Sequence, residues 1–359
     1  MRPVHGGEIG SYINPTTGES AVTVDFSANI SPFDLSDKVK SALEEAGRYV
    51  NSTDNAIIAD LRDDLAEYSG VASNQVLVTA GTTDAIHLAV RALCRKTALV
   101  IEPTNLEYRY ALNLHGIEVR NLLLRERKDF KITISEAINA LQGIEVLFIA
   151  NPNSPTGSVW SREDLELIVQ EANSRRIFVV IDESHVDWSP ANSCYSFIEK
   201  GYECIVLRSI GKFFGLPGLR VGYVLGSPSI LGSLKAFQVT CPVSPLSAFI
   251  ARAAVSDKSY PNRIRLEMNK NKERFIQQLD EFAVLKLFSS AANFVLLKLH
   301  GSRKTSDFDK RLAEFGITIR DCASYPGLDN HFFRISIKSK QENDYLIEVF
   351  NQILPKKVF

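Results

Sequence analysis

Four short stretches carry residue types that could do chemistry together, and each lies where an apolar run stops. In RSIGKFFGLPGLRVGY (208–223) one lysine, Lys212, sits among small, apolar and hydroxyl residues, and Arg220 follows in a Gly/Pro-rich turn. An amine held in a partly apolar setting loses basicity and becomes a nucleophile able to form a Schiff base; the alternative is a surface lysine in a glycine loop. In VTAGTTDAIH (78–87) Gly81 makes a tight turn, and Thr82 and Thr83 open a helix. Free amide N–H groups and two hydroxyls there suit a phosphate, or simply cap the helix. In ANPNSPTG (150–157) a buried run enters polar side chains, Asn153 and Ser154, before a rigid turn that is equally at home as a plain connection. In VVIDESHVDW (179–188) Asp182 ends an apolar run. A carboxylate there is costly unless paired, with a protonated ring nitrogen, a helix end or a core cation. His185 follows three residues later, within reach of the same place, as an acid–base group or a simple hydrogen-bonding one.

Taken in this order, the four stretches supply an anion cradle, a polar turn, a strand-end acid and a shielded amine. Those are the groups that pyridoxal 5'-phosphate (PLP) needs: an anion site for its phosphate, an acid for its pyridine nitrogen and an amine for its aldehyde.

The elements that must position them follow from the pattern. From about residue 75, short apolar runs alternate with helical periodicity: NQVLVTA, TALVIEP, IEVRNLLL, IEVLFIA, RIFVVID and ECIVLRS read as strands. TTDAIHLAVRAL, LEYRYALNLHG, TISEAINALQG and SREDLELIVQEANSR read as helices, with Ile86, Val90 and Leu93 on one face of the first. Unbroken β-branched runs suit strands covered on both faces, and strand–helix alternation implies a mainly parallel sheet. In such sheets ligands bind at the carboxyl ends of strands, where the four stretches fall. After about residue 245 a long charged helix, three strands (ANFVLLKL, GITIRD, HFFRISI) and two more helices predict a smaller α+β unit. The expected division is an N-terminal segment, 1–35, packing on the small domain, a large domain, 36–245, and a small domain, 246–359.

Composition narrows the function. The chain has 359 residues, 45% hydrophobic, with 41 basic and 42 acidic side chains. A near-zero balance lacks the basic excess of a nucleic-acid binder. No stretch is apolar enough to span a membrane, and MRPVHGGEIGSY has no signal-peptide core. Five cysteines with no C-x-x-C point to free thiols and a reducing cytoplasm, and no Cys/His cluster invites a metal.

These motifs resemble, along essentially the whole chain, fold-type I PLP enzymes of the class I/II aminotransferase group. Within it the chain resembles histidinol-phosphate aminotransferases, and more so the threonine-phosphate decarboxylases of cobalamin synthesis, through HGGEI (5–9), DFSANISP (25–32) and IRDCASYPGLDNHFFRISIK (319–338). The resemblance implies an aspartate-aminotransferase-like α/β large domain with a mainly parallel seven-stranded sheet. It implies Lys212 as the Schiff-base lysine, Asp182 as partner of the pyridine nitrogen, and Gly81, Thr82, Thr83, Ser209 and Arg220 as the phosphate site. Arg334 would grip the substrate α-carboxylate, and Arg320, with His5 and Asn29, a distal phosphate. It also implies a small amino-acid substrate and a homodimer in which residues 50–56 reach the partner's site.

Several positions depart from the family pattern. The asparagine that bonds the PLP phenolic oxygen aligns with Ser154, with Asn153 one residue off. The ring-stacking aromatic aligns with Asn105, leaving Tyr108 as a substitute. An aromatic aligns with His185, the partner-crossing tyrosine with Thr53, and an arginine of close relatives with Lys338. The expected reaction is decarboxylation of an O-phosphorylated amino acid; amino transfer of the histidinol-phosphate type, and elimination or cyclisation on an amino acid, are the alternatives.

Overall fold

The protein is described by a computed structural model, which describes Gly7, residues 24–52 and residues 55–357. Its main layer is a seven-stranded sheet. The strands are β2 (Val76–Thr79), β3 (Thr97–Glu102), β4 (Glu118–Leu123), β5 (Val146–Ala150), β6 (Phe178–Asp182), β7 (Cys204–Ser209) and β8 (Gly222–Leu225), counted after a short β1 (Val24–Asp25). The order is β2-β8-β7-β6-β5-β3-β4, and β8 alone runs antiparallel to its neighbours. Every residue of β2, β3, β7 and β8 is buried, as unbroken apolar runs require when helices cover both faces. Two apolar clusters, one on each face, make the core.

A second, four-stranded antiparallel sheet follows: β9 (Leu285–Leu287), β10 (Phe294–Leu299), β12 (Arg320–Asp321) and β13 (Phe332–Ser336), in the order β12-β13-β10-β9. GITIRD, expected as one strand, is split. Its first half, β11 (Ile317–Thr318), leaves this sheet and pairs with β1, and its second half is β12. The expectations missed β8, a four-residue strand just behind a Gly/Pro turn. The helix Pro245–Ser256, C-terminal to the expected boundary at 245, packs on the helices Asp37–Glu45 and Ala56–Ser69. Arg252 ties it down through Asp60 (2.7 Å) and Asp64 (2.6 Å). Among the described residues no helix is long and apolar enough to cross a membrane, and no group of three or more His, Cys, Asp or Glu could hold a metal ion.

The topology brings the chemistry to one edge. β2, β5, β6 and β7 all end there, and antiparallel β8 begins there. The turns after Thr79, Ala150, Asp182 and Ser209, and the turn before Gly222, therefore border one cavity of about 340 Å³.

Candidate active site

The cavity's first corner is an anion cradle. β2 delivers the chain to Gly81, whose φ of +82° favours glycine, and the helix Gly81–Leu93 starts there. Its first-turn Thr82 and Thr83 line the cavity beside Ser209 and Arg220. Arg220 itself adopts φ +54°. Its guanidinium lies so close to Gly81 that a Cβ there would sit 3.1 Å from a terminal nitrogen. No carboxylate pairs with Arg220 among the described residues. An unpaired guanidinium, two hydroxyls and a helix N-terminus fit a phosphate. Gly222 closes the cradle from beneath: a Cβ there would fall 2.7 Å from the Gly81 carbonyl carbon. Gly222→Ala is thus expected to push the two turns apart and weaken PLP binding by about tenfold or more, at an overpacking cost of about 1–3 kcal/mol. Equilibrium dialysis against PLP, with circular dichroism to verify the fold, checks it.

Asp182, the last residue of β6, is buried. Its Oδ2 accepts from the Tyr108 hydroxyl (2.6 Å), and its Oδ1 accepts from the Ser184 amide (2.8 Å) and hydroxyl (2.5 Å). All three donors are neutral, and no ion pair joins Asp182 to a cation among the described residues, so a protonated ring nitrogen fits it as a charged partner. A polar network stands behind: Arg208 donates to Glu183 (2.9 Å) and Asp187 (3.0 Å), Tyr68 donates to Asp187 (2.8 Å), and all of these but the half-exposed Tyr68 are buried. It anchors the turns that follow β6 and β7. Sequence reasoning missed this network; the acids at 183 and 187, spaced around Asp182, and Arg208 before Ser209 were the available signal.

Lys212 is the nucleophile candidate. Burial, with Arg334 and Arg220 nearby, outweighs the field of Asp182 and pulls its amine down to about 8, so a useful fraction is unprotonated near neutrality. Its Nζ lies 3.4 Å from His185 Nε2. Burial, then Lys212 and Arg334, hold the His185 imidazole well below its usual value, so it is neutral.

The far wall carries arginines. Arg334, in β13, is buried; it donates to Ser154 Oγ (2.9 Å) and to the Ser27 carbonyl (2.6 Å), and lies over the Phe294 ring at 5.3 Å. Among the described residues its Nε has no partner and no carboxylate forms an ion pair with it. β12 sets Arg320 directly opposite Arg334, and Arg320 packs over Tyr325 at 5.4 Å, whose ring lines the cavity. Asn29 lines the cavity too, with its buried Oδ1 unpartnered.

The expected residues are thus mostly gathered: Gly81, Thr82, Thr83, Ser154, Asp182, His185, Ser209, Lys212, Arg220, Asn29 and Arg334 line one cavity. Arg320 is not on the wall but stands behind Tyr325. Asn153 is a correction. Its amide is taken up by Pro103 (2.9 Å), Thr104 (2.7 Å) and Thr156 (2.8 Å), and it borders a separate, mainly apolar cavity of about 430 Å³. The one-residue offset puts Ser154 on the cavity wall against Arg334 and Asn153 among Pro103, Thr104 and Thr156. Tyr108, suggested as a ring-stacking substitute, lines the cavity together with Asn105 and donates its hydroxyl to Asp182. His5 and Thr53 lie outside the described residues.

Comparison with known proteins bears on this geometry. A family model described as aminotransferase class I and II matches residues 21–350. The threonine-phosphate decarboxylase of Salmonella typhimurium is 30% identical over 98% of this chain and 96% of its own. The histidinol-phosphate aminotransferase of Thermoanaerobacter pseudethanolicus is 31% identical over 91% of this chain and 92% of its own. The crystal structure of the histidinol-phosphate aminotransferase of Sinorhizobium meliloti in complex with PLP superposes with a TM-score of 0.81 at 22% identity, covering 91% of this chain and 90% of that one.

Proposed function

The chain belongs to the aminotransferase class I and II family of PLP-dependent enzymes, which act on small amino-acid substrates, and from that premise we propose that it decarboxylates an O-phosphorylated amino acid of the threonine- or serine-phosphate kind. The observation that carries this reading is the cross-strand pair Arg320 and Arg334. Like charges directly opposite on neighbouring strands repel, and both are buried. With Arg220 assigned to the cofactor phosphate, Arg334 on the wall and Arg320 behind Tyr325 make this end of the cavity doubly positive, which suits a substrate with two anionic groups, a carboxylate and a phosphate. The Salmonella relative supports the same class.

When bound, PLP supplies an aldehyde for capturing the substrate amine and a protonated ring that takes up the electron pair of the bond broken at Cα. Lys212 would hold the cofactor, Asp182 would keep the proton on its ring nitrogen, and Thr82, Thr83, Ser209 and Arg220 would hold its phosphate. Arg334, fixed by Ser154, the Ser27 carbonyl and Phe294, grips the α-carboxylate with its planar fork. Its rigidity would fix the direction in which the α-carboxylate points from Cα, and so favour its loss as CO2, and Lys212 would return a proton to Cα. Neutral His185 adds no charge that would oppose CO2 loss.

Amino transfer is the second reading, favoured by the Thermoanaerobacter relative. PLP-loaded protein given O-phosphothreonine and O-phosphoserine separates the two: CO2 with an amine phosphate supports decarboxylation, and a keto acid without CO2 supports amino transfer. Because Arg320 stands behind Tyr325, Arg320→Gln removes a nearby charge rather than a direct contact and is expected to raise KM for the phosphorylated substrate by about fivefold, roughly 1 kcal/mol. Activity on the unphosphorylated amino acid should change little. Equal losses on both would remove Arg320 from the phosphate site.

The working form is a homodimer. Val50 (67%), Phe237 (42%) and Val239 (70%) are large exposed apolar residues, and Cys241 donates to Asn55 Oδ1 (3.4 Å), tying the segment after Phe237 to that after Val50.

A further inference from the structure

Lys212 and Asp182 line one cavity, and the field of Asp182 acts on the amine, yet no ion pair joins them. Each has a neutral partner instead. Asp182 accepts from Tyr108 and Ser184, and Lys212 faces His185 Nε2. The His185 ring stands edge-on to Phe294, with centroids 5.1 Å apart and planes at 74°. Its Nδ1 is buried without a partner among the described residues. An unsatisfied buried nitrogen lowers stability, so the fold gains nothing from placing an imidazole there rather than an apolar ring.

We propose that His185 is a positioning residue that holds the Lys212 amine away from Asp182 in the cofactor-free protein, so that amine and carboxylate stay apart for the two ends of PLP. The proposal goes beyond the choice of reaction, because capturing PLP precedes any bond broken at Cα. Opposite charges in a water-poor cavity attract. If the ammonium settled on Asp182, the pairing would favour its charged form, raise its pKa and remove the free amine that PLP capture needs. It would also occupy the oxygen meant for the ring nitrogen. The charged groups facing Lys212 are Asp182 at the end of β6, Arg220 before β8 and Arg334 in β13; His185 is the neutral one. The arginines repel the ammonium, and the imidazole lone pair gives it an acceptor that leaves Asp182 free.

The test uses the full-length protein stripped of PLP. Lysines are labelled competitively with acetic anhydride across pH, and the Lys212 peptide is read by mass spectrometry. Capture of added PLP is followed in parallel by absorbance. The wild-type midpoint is expected at about 8. His185→Phe keeps an aromatic ring but offers no acceptor, so Lys212 turns to Asp182. The midpoint should rise by about one unit and capture at neutral pH should slow about tenfold. His185→Gln, which keeps an acceptor, should remain near wild type, and His185→Phe/Asp182→Asn should lose the rise. A midpoint that falls in His185→Phe overturns the proposal, because His185 is then only an ordinary acceptor for the ammonium. An unchanged midpoint with unchanged capture overturns it as well, as does a rise that persists without Asp182. Should His185→Phe misfold, His185→Asn, too short to reach Nζ, gives the same reading.

Discussion

Lys212→Ala yields a folded protein that no longer shows the visible absorbance of lysine-bound PLP. The reason is chemical: among the described residues Lys212 is the one amine lining the cavity, which the phosphate cradle and Asp182 also line. Turnover should fall by about 10²–10⁴-fold, the usual loss when a positioned proton-transfer group is removed. Stability should move the other way. Burial lowers the Lys212 pKa from 10.5 to about 8, so the folded state holds the ammonium less well than the unfolded state. That penalty is complete below pH 8, shrinks as pH rises toward 10.5 and is gone above it. Without PLP, Lys212→Ala should therefore be more stable than wild type at neutral pH, and the two should converge in alkali. Thermal melts of both proteins across pH, with absorbance spectra of the PLP-loaded forms, check both parts. A wild-type spectrum in the variant would refute the assignment of Lys212.

Arg334→Lys keeps the charge and should still lose kcat/KM by about a hundredfold or more. Removing one partner of a desolvated charge pair costs about 2–5 kcal/mol. Arg334 spends two donors on Ser154 Oγ and the Ser27 carbonyl, so its plane is fixed before substrate arrives, and its Nε remains free. Lysine is a compact charge on a flexible stem and cannot present a fork. The α-carboxylate would then swing, and the wrong Cα bond would align with the ring. If Arg334 orients as well as binds, kcat falls together with kcat/KM. If it only binds, KM alone rises. Steady-state kinetics on the phosphorylated substrate distinguish these, and a product shift from amine toward keto acid would show the orientation directly.

Much of this site can be read along the chain because it is built at strand ends. A buried strand announces itself as an apolar run, and the first polar residue after it must lie at the sheet's edge. Asp182 after FVVI is such a residue, and Gly81 and Ser209 sit at or just past the ends of the strands VLVT and CIVLRS; each lines the cavity. Helix periodicity located the elements between them, which is why the parallel core matched expectation.

Other features depend on distance in space. Nothing local states that Arg334 meets the Ser27 carbonyl 307 positions away, or that Arg320 stands opposite Arg334. The break of GITIRD into β11 and β12 depends on which neighbour each half finds, since a lone strand carries no record of its partner. β8 is too short to show period-two patterning, yet its direction brings Gly222 beneath Gly81.

The order of residue types by itself determined the kind of chemistry: a shielded amine, a strand-end acid and an anion cradle, carried on a mainly parallel sheet. That information is local, since burial and turn geometry act over a few residues. Only the tertiary structure decided which neighbour faces inward, Ser154 rather than Asn153, and which neutral groups hold Asp182 and Lys212 apart. Side-chain direction reverses with a single residue, and hydrogen-bond partners are chosen by packing between elements far apart in the chain.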